Sequence, residues 1–106
     1  MEKQALTVVW TDPAKYDLQS IYNYLAEIAI LIAENQINRI VDKVEILEKG
    51  FDGIGQKEPL LANYPLYYRY LVQDIYKIIY HSHIKFVIID MVFDTRQNPK
   101  MMAKKL

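Results

Sequence analysis

A cysteine-free chain of 106 residues is long enough for one hydrophobic core, so residues 1–106 read as a single domain with neither disulfides nor thiolate metal sites, as suits a reducing compartment. Thirteen Lys plus Arg balance thirteen Asp plus Glu, which excludes an overall field that would draw the chain onto nucleic acid. No run approaches the roughly 18 apolar residues of a membrane span and Met1-Glu-Lys-Gln lacks the apolar core of a signal peptide, so the expectation is a soluble, cytoplasmic protein with no membrane partner.

Leu6-Thr-Val-Val-Trp10 is a short β-prone run closed by Thr11-Asp12-Pro13. Asp12 is expected to accept from the free amides of the next turn and Pro13 to occupy the first helical position, where its missing N–H costs nothing. Leu18, Ile21, Tyr22, Leu25 and Ala29 then recur at spacings of three and four. They form one helical stripe, with Lys15, Asp17, Gln19 and Glu27 off it. A second series, Ala33, Ile37, Ile40, Val41, Val44 and Leu47, runs to Gly50, a residue suited to the left-handed position after a helix end. The uninterrupted apolar stretch Glu27-Ile-Ala-Ile-Leu-Ile-Ala33 admits one long bent helix, but a break near Ala29 to Leu31 is the preferred reading. Phe51-Asp-Gly-Ile-Gly-Gln-Lys-Glu-Pro59 is loop-like.

From Tyr67 to Pro99 the chain reads as a β-meander: three runs rich in Tyr, Ile, Val and Phe, separated at Gln73-Asp74 and Ser82-His83. Asn98-Pro99 then starts a helical turn. The expected fold is α+β, in the order β-α-α-β-β-β with a short C-terminal helix. The helical hairpin of residues 13–49 packs on one face of a mainly antiparallel four-stranded sheet.

The charge balance conceals an asymmetry. Residues 1–50 carry five cations and eight anions, whereas residues 51–106 carry eight and five, so an anionic partner should meet the C-terminal half. Isolated cations Arg69, Lys77 and Arg96 sit in or at the end of the three runs. Alternation in the last run puts Val87, Ile89, Met91 and Phe93 on one face and Asp90, Val92, Asp94 and Arg96 on the other. Arg96 is thereby expected on the open side, free for a partner or paired with a neighbouring carboxylate. Arg69 reads as structural, pairing with a carboxylate or capping a carbonyl. His81 and His83 share a face but lack a third ligand, so no metal or cofactor is expected. The tyrosines from Tyr64 to Tyr80 suit base stacking or cross-strand pairing, and pairing needs no ligand.

The order of elements, the Trp10-Thr-Asp-Pro-Ala-Lys-Tyr-Asp-Leu18 opening, the Phe51-Asp-Gly-Ile-Gly55 loop and the Arg69–Tyr80 and Val87–Pro99 segments resemble the RelE/ParE superfamily. These are the toxins of bacterial type II toxin–antitoxin modules, also labelled plasmid stabilisation proteins, and the likeness is closer to the ParE branch. The resemblance implies a toxin held inactive by a cognate antitoxin that lays a helix on the hairpin and a strand along the sheet. ParE-like members poison DNA gyrase, while RelE-like members cut mRNA on the ribosome. By that resemblance Lys77 and Arg96 match the family's strand arginines and would contact the phosphate in a nuclease. The basic residues of the earlier strand fall instead at Tyr68 and Tyr70. Gln97-Asn-Pro-Lys-Met-Met-Ala103 supplies no Tyr or His for proton transfer.

The departures favour a gyrase-directed toxin without chemistry of its own, with Arg96, Lys77, Lys100 and Lys104 meeting the target. The alternatives are an endoribonuclease with Tyr76, His81 or His83 in acid–base service, and a decayed module that only binds its antitoxin. The apolar run Ile28, Ile30, Leu31 and Ile32 has no evident cover within the chain. It is assigned to the antitoxin, or to a second copy in a homo-oligomer.

Overall fold

Thr-Val-Val-Trp forms β1 (Thr7–Trp10), and the chain then turns directly into α1 (Asp12–Ala26). The computed structural model describes residues 5–106, and the Met1-Glu-Lys-Gln segment lies outside the described residues. The helix start differs from expectation by one residue. Thr11, in extended backbone, is the N-cap, its Oγ1 accepting from the Ala14 amide at 3.2 Å, while Asp12 stands in the first turn, where a negative charge suits the helix dipole. Glu27–Ala29 separate α1 from α2 (Ile30–Glu48), so the break falls slightly ahead of the expected Ala29–Leu31. Ala29 caps α2 in extended backbone without a side-chain bond, which explains why no polar residue marked it. Gly50 takes the left-handed conformation after α2, with φ of 88°.

The sheet has five strands rather than four. β2 (Gln56–Lys57) emerges from the predicted loop and pairs with β3 (Arg69–Gln73); β4 (Tyr76–His83) and β5 (Phe86–Asp94) complete an order β1-β5-β4-β3-β2. Two residues are too few for an alternation to register in sequence. All pairings are antiparallel except β1 with β5, which run parallel from Thr7↔Phe86 to Trp10↔Ile89. Both hairpin turns fall later than the sequence signals suggested, at Asp74-Ile75 and Ile84-Lys85. Asp74 and Ile84 adopt φ of 57° and 56°. Asp tolerates that region, whereas Ile is among the residues least suited to it, which is why Ser82-His83 looked the better turn.

Ala14 of α1 and Ile40, Val44 and Leu47 of α2 pack on Leu71, Tyr76, Ile78, Tyr80, Val87 and Ile89 to form the main core. Val41, expected in the same stripe, is 41% exposed. The other face of the sheet is not open. Leu61, from a 3₁₀ turn at Pro59–Leu61, and Met102, from α3 (Lys100–Lys104), bury Ile79, Met91 and Phe93 there with Tyr68.

Gly55 fixes the entry to β2. A Cβ at this position would collide with the Tyr80 hydroxyl and lie 2.8 Å from the Tyr70 carbonyl oxygen. The Tyr80 hydroxyl accepts from the Gly55 amide at 3.0 Å and donates to the Asp52 carbonyl. Arg69 Nη1 donates to the carbonyls of Gly55 at 2.8 Å and Gly53 at 3.4 Å, the carbonyl-capping role expected of it. Gly55→Ala should therefore cost about 1–3 kcal/mol by overpacking and lower the urea midpoint without changing the transition's slope. Gly53→Ala, where a Cβ meets nothing within 4 Å, should leave the midpoint nearly unmoved.

Candidate functional site

Beyond Ile89, β5 has lost its parallel neighbour, because the chain has left β1 for α1. Two α1-end side chains replace the missing strand. Thr11 Oγ1 donates to the carbonyls of Ile89 at 2.8 Å and Asp90 at 3.2 Å, and the Asp17 carboxylate accepts from the Val92 amide at 2.9 Å. Asp17 also pairs with Lys105 just past α3, which ties the C-terminal segment to the hairpin. The helical stripe had placed Asp17 on the solvent side; it is buried, 7% exposed, because the sheet needed an acceptor there.

A β-bulge reverses the expected parity of β5. Ile79 pairs with Met91 and Tyr80 with Ile89, leaving Asp90 as the extra residue. Val87 and Ile89 face the helices, Met91 and Phe93 face the other way, and Val92 returns to the helix side. Asp94 and Arg96 follow Val92, so Arg96 stands beside Ile21, Tyr24 and Tyr76 rather than on the opposite face. Its Nη2 and Nε bond Asp94 at 2.8 and 3.1 Å, and the backbone amide adds a third bond at 2.9 Å. Those hydrogen bonds hold the Asp94 carboxyl below the usual carboxylate range. The Arg96 side chain remains 58% exposed.

Lys77 lies on the other face. Its ammonium is 2.9 Å from the fully buried carboxylate of Glu58 and 4.3 Å from the centre of the Tyr70 ring. Glu58 in turn accepts from the Leu60 amide at 3.1 Å, capping the 3₁₀ turn that supplies Leu61. The structure thus separates Lys77 from Arg96 by the thickness of the sheet, and the two do not form one phosphate site. Lys100 and Lys104 are exposed on α3, which follows Arg96 in the chain.

His81, two residues ahead of the exposed His83, pairs through Nδ1 with Asp90 at 2.7 Å. Both side chains are largely enclosed, and the Tyr68 ring meets the imidazole edge-on with centroids 5.6 Å apart. Burial pushes the Asp90 carboxyl up, with the His81 hydrogen bond opposing it, and burial likewise pushes up the Tyr68 phenol. No group of three metal-ligating side chains occurs among the described residues. The remaining tyrosines do not share a surface. Tyr76 and Tyr80 are buried under the helices, Tyr70 borders the second core, and Tyr67 is exposed beneath Lys57 and Arg69.

Ile28, Ile30, Leu31 and Ile32 cluster at the hairpin tip with exposures between 50% and 67%. No described helix is long and apolar enough to cross a membrane. Sequence reasoning missed Asp17, Glu58 and Asp90. Only Glu58 carried a local signal, as the acidic residue directly before Pro59 and a possible cap for a turn. The roles of the other two depend on strand register.

No protein-family model and no curated protein matches the sequence. A solved chain described as "Chromosomal ParDE TA system from P. aeruginosa" matches the structure with a TM-score of 0.70 and 20% sequence identity. The match covers 85% of this chain and 96% of that one. The likeness is one of fold.

Lys77→Met should cost about 3–5 kcal/mol, since it strands a buried carboxylate, and Lys77→Met with Glu58→Leu should recover most of that loss in urea unfolding. Asp90 and Asp94 should respond to pH in opposite senses. Asp90 has a raised folded pKa, so its contribution to stability is greatest below the ordinary carboxylate value and is lost as pH rises through the folded one. Asp90→Asn should therefore gain on the parent near pH 7, and the gain should fade toward about pH 4. Asp94 has a depressed folded pKa, so Asp94→Asn should lose stability near pH 7, and the deficit should close as pH falls through the folded value.

Proposed function

We propose that this chain is the toxin of a type II toxin–antitoxin module and acts as a ParE-like inhibitor of DNA gyrase. The single observation that carries the reading is the fold, which matches a chain of a ParDE TA system over most of both proteins. The exposed apolar tip supports an antitoxin partner. Ile28, Ile30, Leu31 and Ile32 offer a compact apolar surface at the end of the helical hairpin, and an amphipathic antitoxin helix would cover it.

Inhibition by binding suits the distribution of cations. A nuclease needs several positive groups on one phosphate, whereas here Lys77 is committed to Glu58 on one face and Arg96 to Asp94 on the other. The segment after Arg96 also has no Tyr or His to move a proton. Arg96, Lys100 and Lys104 are each exposed, and each could meet an acidic patch of the target. Lys77, held inward by Glu58, is the least suited of the proposed target residues.

The His81–Asp90 pair favours a second reading. A carboxylate holding imidazole Nδ1 leaves Nε2 as the reactive edge, and Tyr68 lies beside it, an arrangement fit for general acid–base catalysis in an endoribonuclease. That centre is distant from Arg96 in the fold, so the two readings separate by mutation.

Production without antitoxin should arrest growth with DNA-damage signalling and filamentation, and the purified protein should inhibit supercoiling by gyrase. Arg96→Ala should be folded, bound by antitoxin and non-toxic, while His81→Ala should stay toxic. Rapid loss of translation with mRNA cut within codons, abolished by His81→Ala, would establish the endoribonuclease instead. Leu31→Asp with Ile32→Asp should keep toxicity but escape the antitoxin encoded beside the gene, read as growth arrest during co-expression. Continued rescue would place the antitoxin elsewhere on the surface.

A further inference from the structure

Between α1, the end of β5 and the C-terminal segment lies a cleft of about 600 Å³, within the usual range for organic ligands. Ile21 and Val92 give it an apolar floor, and Tyr24 and Tyr76 supply aromatic walls. Its carboxylate oxygens are all engaged. Asp17 takes the Val92 amide and Lys105 on its two oxygens, and Asp94 takes Arg96 on both of its own.

What remains unengaged is hydrogen-bond donor capacity. Tyr76 is 3% exposed, yet its hydroxyl bonds no described residue. No buried side-chain polar atom among the described residues lacks a partner, so that hydroxyl is not sealed in the core; it opens into the cleft that Tyr76 lines. Burial, reinforced by the Asp94 charge, pushes the phenol up. The hydroxyls of Ser20 and Tyr24, the amide of Gln97, Arg96 Nη1 and the spare protons of Lys105 line the same cleft without an acceptor among the described residues.

We infer that this cleft binds a carboxylate carried on a short apolar body, the acid group accepting from Tyr76, Arg96 and Lys105 while the body lies on Ile21 and Val92. A single negative charge fits better than a phosphate dianion, because Arg96 and Lys105 are each already half-neutralised and Asp17 and Asp94 stand close by. The group would come from a free organic acid or from the C-terminus of a peptide. The inference does not depend on the toxin reading.

The test is titration of the full chain, followed by the amide ¹H–¹⁵N shifts of Ser20, Tyr24 and Gln97. The probes are phenylacetate, its neutral analogue phenylacetamide, and acetyl-Gly-Phe with a free carboxyl end. Phenylacetate should give saturable shifts confined to the cleft, with phenylacetamide at least roughly tenfold weaker. Tighter binding of acetyl-Gly-Phe would identify the peptide source, and tighter binding of phenylacetate the free acid. Tyr76→Phe should weaken phenylacetate about five- to tenfold at an unchanged melting temperature. Arg96→Ala, at an exposed position, provides a second variant should Tyr76→Phe disturb the core, and it should weaken phenylacetate likewise. Equal binding of acid and amide, or no saturable shift with any probe up to about 10 mM, would overturn the inference.

Discussion

The structure turns on the mismatch in length between β5 and its parallel neighbour. β1 stops at Trp10, opposite Ile89, while β5 continues to Asp94. A strand that outruns its partner leaves backbone groups unpaired beneath the helices, and burial makes each of them costly. The first turns of α1 meet this need with Thr11 and Asp17. The helix therefore serves as sheet partner as well as cover, and its placement is fixed by hydrogen bonds that tolerate far less displacement than apolar contact.

The bulge at Asp90 lies in the same stretch and divides the chemistry of the protein between two faces. On one side it brings Asp90 to His81 and turns Met91 and Phe93 toward Leu61 and Met102. On the other it returns Val92 to the helices and carries Arg96 to the rim of the cleft beside Tyr24 and Tyr76. A regular strand would have placed Arg96 and Lys77 on one surface, the arrangement a phosphate-cleaving centre requires. One inserted residue instead gives each cation its own carboxylate on its own face.

Much of the architecture was legible in the sequence because it depends on local periodicity. The α2 stripe named Ala33, Ile40, Val44 and Leu47, all buried, and the meander's β-branched runs marked its three strands. The exposure of Ile28, Ile30, Leu31 and Ile32 was legible for the same reason, since they exceed what one stripe can bury. What escaped depends on register. Alternation alone cannot reveal a bulge, so by parity it puts Arg96 on the face opposite the one it takes. Asp17 looked solvent-facing because its partner amide lies 75 residues away in sequence. Glu58 looked like a loop residue because its cation comes from β4. The turn at Ile84 carries no sequence signal, because the sheet holds it in a backbone conformation its side chain disfavours.

The parallel pair also governs when the domain can form. β5 lies between β1 and β4, so an interior strand of the sheet is supplied by a segment made well after β1 and the helical hairpin. Until Val87 and Ile89 are available, Leu6, Val8 and Trp10 have no strand to join, and the inward stripes of α1 and α2 lack half of their core. Contacts of such sequence separation are slow to form, because the loop entropy must be overcome before any pairing repays it. The nascent chain thus presents a helical hairpin long before it presents a folded domain. Folding of the domain waits for β5, and a chain that stops before it lacks the strand that joins β1 to the rest of the sheet.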